Sequence, residues 1–148
     1  MSQKAAPALT SRQKRRVQES FESIKGYSTA LTKLFYGRLF ELRPDFRPMF
    51  KISLEEQSRK ILDMLVVIVE ALDDFESLRP RLEELGRKHV TYGAMPEHYD
   101  FIRIALVWAI GQALELEFDA DTKAAWNQML TAVAEAMLDG AASVSTRP

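Results

Sequence analysis

Cysteine is absent from the 148 residues, which excludes disulfides, zinc thiolates and thiol nucleophiles together. That usage is compatible with a cytoplasmic setting, the localisation expected here. Long apolar runs are missing too. Met64 to Val69 is six residues and Ile104 to Ile110, the longest, is seven, far short of the roughly 20 that span a bilayer. The N-terminal MSQKAAPALTS lacks the apolar stretch of a signal segment, so no membrane partner is expected. Charge of one sign is also lacking. Twenty basic and 21 acidic side chains leave a net charge of -1, and no global field draws the chain to nucleic acid. The basic stretch Arg12, Lys14, Arg15 and Arg16 has no aromatic residues between its charges and reads as a solvated helical face. The six glycines are scattered, so no phosphate loop or dinucleotide fingerprint is present. No HExxH and no pair of Glu-x-x-His motifs for a di-iron bundle is present, and two histidines, His89 and His98, leave little for a multi-histidine metal site.

What is present is helical periodicity, with almost no strand signal. Thr10 and Ser11 are N-cap residues for a helix to about Lys25 that turns Val17, Phe21 and Ile24 inward. Gly26 ends it. A second helix runs from Ser28 to about Leu42. Pro44 and Pro48 then predict a short helical turn and a corner. Ser53 and Glu56 have capping-box spacing and open a helix to about Leu72. Its later half is apolar nearly all round, the signature of a helix passing through the middle of a domain. Ser77 and Pro80 predict the start of a short helix ending between Val90 and Gly93. Pro96 begins a long one to about Leu116, and Asp119 or Asp121 caps the last, through Trp126, Met129, Leu130 and Val133. The expected architecture is all-α, a compact domain of six or seven helices over residues 10–141. Residues 1–9 and 142–148 are expected to be flexible, and Gly140 to begin the frayed end.

One side chain stands out by phase. Phe75, Leu78, Leu82, Leu85 and His89 follow 3-4-3-4 spacing, which sets an imidazole at the end of an apolar stripe. An imidazole there must hydrogen-bond, bind a metal or destabilise the fold. Phase alone favours a satisfied core histidine. A single histidine cannot hold a bare metal ion, but it suffices for iron already held by four porphyrin nitrogens. His98, on the first turn of the next helix, reads as a surface or capping residue. Tyr36, beside Phe35 and Phe40, is on its own an ordinary core tyrosine, and Gln57 an ordinary first-turn residue.

FYGRLFELRPDFRPMF (35–50) is similar to the second-helix-to-corner segment of bacterial haemoglobins and flavohaemoglobin globin domains. LEELGRKHVTYG (82–93) is similar to the proximal-histidine segment of neuroglobin and of bacterial single-domain globins such as the Hell's Gate globin. QSRKILDMLVVIVEALDDFESL (57–78) and DTKAAWNQML (121–130) extend the likeness in globin order over most of the chain. The resemblance implies a globin fold of six to eight helices enclosing a haem pocket, with haem b as cofactor. It makes His89 the proximal iron ligand and sets Phe50 on the porphyrin face. Tyr36 and Gln57 become the distal polar pair, with Ile61 walling the pocket, Lys88 reaching a propionate and Tyr99 contacting the proximal histidine.

Two departures qualify the likeness. Gln57 stands where neuroglobin has a distal histidine, and an amide is a poor iron ligand, so bis-histidine coordination is not expected; Tyr36 could bind ferric iron. Flavohaemoglobins place a glutamate fifteen residues after the final-helix tryptophan, a position that counts from Trp126 to Ala141 here. Glu135 could substitute only in a shifted helix. The implied ligands are oxygen, NO and CO, and the implied reaction is nitric oxide dioxygenation with a separate reductase. Two alternatives stay open. One is a haem gas sensor acting through a partner protein, marked by a partner whose binding changes with CO. The other is a haemless helical interaction module, marked by the lack of a Soret band. Oligomeric state is not readable.

Overall fold

The computed structural model describes residues 9–49, 53–91 and 94–145, and among them it is helical throughout. Six α-helices follow in order: α1 (Ser11–Ile24), α2 (Ser28–Leu42), α3 (Leu54–Glu70), α4 (Phe75–Thr91), α5 (Pro96–Leu114) and α6 (Ala120–Ser145). Short 3₁₀ turns at Lys25–Tyr27, Pro44–Met49, Leu72–Asp74 and Glu115–Glu117 join them. Among the described residues no helix is long and apolar enough to cross a membrane.

Caps set the starts. The Thr10 hydroxyl accepts from the Gln13 amide at 3.0 Å while the Gln13 side chain accepts from the Thr10 amide at 2.9 Å, closing a capping box. Ser53 caps α3 by accepting from the Glu56 amide at 3.1 Å. Asp119, rather than Asp121, caps α6 by accepting from the Thr122 amide at 2.8 Å. Asp121 instead pairs with Arg12 at 3.0 Å, and Arg16 reaches Asp119 at 2.8 Å. Half of the basic stretch thus ties α1 to the start of α6.

The core forms where α1, α2, α5 and α6 converge. Trp126 is fully buried there and donates its indole N–H to Ser20 at 2.8 Å, so its polar edge is satisfied. Phe35, Leu39, Ile110 and Met129 belong to the same core.

Three expectations are corrected. Helix α4 starts at Phe75, so Ser77 and Pro80 lie inside it. Pro80 removes one donor early in the helix, and the stripe through Leu78 and Leu82, both buried, outweighs that loss. Helix α6 does not fray at Gly140 but runs to Ser145, because Gly140 packs closely against α4. Helix α3 does not traverse the core. Leu65, Ile68 and Val69 are buried, while Met64, Val66 and Val67 are only half-buried, because α3 packs chiefly on α1 and α2.

Candidate functional site

Helix α4 carries His89 near its C-terminus, two turns past the buried part of its stripe. Leu82 is fully buried, Leu85 half-buried and His89 half-buried. The His89 Nδ1 lies 2.8 Å from the Leu85 carbonyl oxygen, one turn back on the same helix. A carbonyl can only accept, so Nδ1 carries the proton and Nε2 is the basic nitrogen. The bond also fixes the ring about its side-chain torsions. The result is an oriented imidazole whose neutral form would bind a metal through Nε2. Lys88, beside it, is exposed.

The second group of residues sits on α2 and α3. Tyr36 is 5% exposed, with its ring against Phe35 at 4.9 Å and stacked on Phe40 at 5.9 Å. Burial pushes its hydroxyl up to about 12, against a smaller opposing pull from the neighbouring Ser58 side chain. The phenol therefore keeps its proton and remains a donor. Ser58 donates its one proton to the Leu54 carbonyl at 2.7 Å, which anchors it to the first turn of α3. Its contact brings Tyr36 to the stretch of α3 that holds Gln57 and Ile61, both half-buried. Ser58 is absent from the sequence-based site because a serine on a helix's first turn gives no periodic or motif signal.

The corner after α2 is held by Arg43. Its guanidinium bonds both Asp45 oxygens, at 2.9 and 2.7 Å, and lies over Phe46 and Phe101. That pairing holds the Asp45 carboxyl below the usual range. His98 caps α5, its Nδ1 accepting from the Met95 amide at 3.0 Å, and its ring meets Phe46 edge-on at 4.8 Å. It is a capping residue. Tyr99 follows it, half-buried, its hydroxyl pushed up by burial. Phe50 lies outside the described residues.

A flat, largely apolar cofactor needs a gap between elements, one oriented ligand and apolar walls. Helix α4 packs on α6, and α3 packs on α1 and α2. Among the described residues α3 makes no extensive contact with α4 or α5. Half-buried apolar side chains on these helices, among them Ile61, Leu62, Val66, Leu85 and Ile102, give the walls. No group of three or more His, Cys, Asp or Glu that could hold a metal ion occurs among the described residues, so a bare ion has no site there, whereas one ligand serves a porphyrin iron. The residues fit a haem. Position 141 carries alanine on α6, and Glu135 lies six residues earlier, half-buried; Ala141 offers no carboxylate.

The globin family model matches residues 33–137. The chain is 28% identical over 117 residues to flavohemoprotein B of Dictyostelium discoideum, covering 78% of this chain and 28% of that one. It therefore spans little more than a quarter of that relative's length. It is 26% identical over 146 residues to neuroglobin of Tetraodon nigroviridis, covering 89% and 92% of the two chains. Among solved structures, an engineered carbene transferase built on a candidate nitric oxide dioxygenase of Rhodothermus marinus superposes with a TM-score of 0.82 at 22% identity, covering 93% of this chain and 96% of that one. A hexacoordinated haem protein from an anhydrobiotic tardigrade gives 0.82 at 20%, covering 93% and 97%. Those two likenesses show the fold. The family match takes in the described part of the corner, the capped α3 and the His89 helix, and the chain belongs to the globin family.

Proposed function

We propose that this chain binds haem b through His89 and holds diatomic gases on the opposite side. The observation that carries the reading is the 2.8 Å bond from His89 Nδ1 to the Leu85 carbonyl, which leaves Nε2 basic and the ring oriented. When bound, the haem supplies an iron that takes up oxygen, NO or CO and can change oxidation state. His89 holds the cofactor from α4. Ile61 and the half-buried apolar residues of α3 exclude water, and Phe50 and Lys88 are assigned to the porphyrin face and a propionate. Tyr36 and the Gln57 amide donate hydrogen bonds to a polar guest. Each such bond to a partly charged acceptor is worth roughly 1.5–3 kcal/mol, so a gas held this way leaves slowly.

Slow release suits chemistry on the held gas better than delivery, and nitric oxide dioxygenation to nitrate is the reaction we assign. Its electrons come from a separate reductase. The fold likeness to the Rhodothermus marinus protein supports this assignment. Titrating purified protein with hemin tests the haem reading: a Soret band that moves on reduction and again on CO is expected. No Soret band after hemin addition would return the chain to a haemless interaction module.

A further inference from the structure

Helix α4 meets α6 in the most extensive helix–helix contact among the described residues, and in it a glycine of each helix faces the backbone of the other helix. A Cβ on Gly86 would fall on the Met137 carbonyl, and a Cβ on Gly140 would fall on the Glu83 carbonyl. The other described glycines do nothing similar: Gly26 and Gly37 face open space, and Gly111 meets only the Phe118 ring. The obstructing atoms at Gly86 and Gly140 are main chain. No rotamer change can make room for a methyl there, so the helices themselves must part.

Gly86 lies three residues before His89. The imidazole is tied to the Leu85 carbonyl of the same helix, so a displacement of α4 carries the ring with it. Because backbone meets backbone, no intervening side chain can change rotamer and let α4 drift. We propose that the Gly86–Gly140 crossing is a positioning device that sets how far His89 reaches toward the haem iron. This rests on the reading of His89 as the iron ligand, and Gly86 and Gly140 act only through it.

The test compares wild type, Gly86→Ala, Gly140→Ala and Gly37→Ala as haem-loaded proteins. The readouts are the iron–histidine stretching band of the reduced, gas-free form and the rate of haem transfer to apomyoglobin. Overpacking of a close contact predicts that Gly86→Ala and Gly140→Ala each move the band and speed haem loss about tenfold, the equivalent of roughly 1.4 kcal/mol. Gly37→Ala, with open space for its methyl, leaves both unchanged. The two methyls open the same gap, so their combination gives less than the sum of the single effects. A variant at either crossing glycine that folds with an unmoved band and normal haem retention overturns the proposal. If neither variant folds as a haem protein while Gly37→Ala does, the crossing is structural and the proposal also fails. A wild-type protein without a Soret band would instead overturn the haem reading itself.

Discussion

Tyr36 and Asp119 show how one side chain's surroundings decide its task. Tyr36 is buried among rings and beside Ser58, with its hydroxyl raised to about 12, so it stays protonated at any physiological pH. A group raised in the folded state stabilises fully below its unfolded value, near 10, and loses that contribution as pH climbs through about 12. As a donor in the proposed gas pocket it is expected to slow oxygen release. Tyr36→Phe should speed oxygen dissociation by about one to two decades, at 1.4 kcal/mol per decade, as read by stopped-flow displacement with CO. An unchanged rate removes Tyr36 from the distal pair. Asp119 is the opposite case. Hydrogen bonds from Thr122, then Arg16, lower its carboxyl to about 2. Its stabilising effect is complete above the unfolded value, near 3.9, and disappears as pH falls toward about 2. Melting temperatures of wild type and Asp119→Asn should differ near neutrality and converge across that acid window. A gap of constant width would contradict the assigned bonds.

The elements were legible in the sequence wherever a cap or a period announced them. Thr10, Ser53, Asp119 and the Pro44–Pro48 corner all mark boundaries that the structure keeps. The misses share a physical origin, because each depends on a contact between helices distant in sequence. Pro80 looks like a start until the buried stripe of α4 extends past it. Gly140 looks like an end until α4 is seen against it. The apolar run in α3 resembles a central helix until its few packing partners are known. A further element-scale feature is Glu115, at φ 54° between α5 and the following turn. A side chain in that left-handed region is strained. Glu115→Gly should therefore stabilise the protein by about 1 kcal/mol, seen as a higher urea midpoint at unchanged slope. A lower midpoint would mean that Glu115 makes a compensating contact.

For the whole molecule, the fold and the site were unequally visible. The all-α architecture follows from periodicity, and family membership from four segments spread in order along the chain. His89 was singled out by phase, which by itself favoured a plain core residue. Its hydrogen bond to Leu85 follows from helix geometry, whereas the contact between Tyr36 and Ser58 depends on how α2 meets α3 and has no local signature. In the proposed function α4 carries the metal ligand, α2 and α3 form the gas-facing side, and α6 supports α4 from behind. Cavity rescue decides whether His89 holds the haem. His89→Gly, expressed and loaded with hemin beside wild type, is examined by absorption in the reduced CO form with and without added imidazole. The expected result is a weakened and shifted Soret band that returns to the wild-type position when imidazole occupies the cavity. A His89→Gly protein with a wild-type spectrum and no response to imidazole would contradict that role for His89.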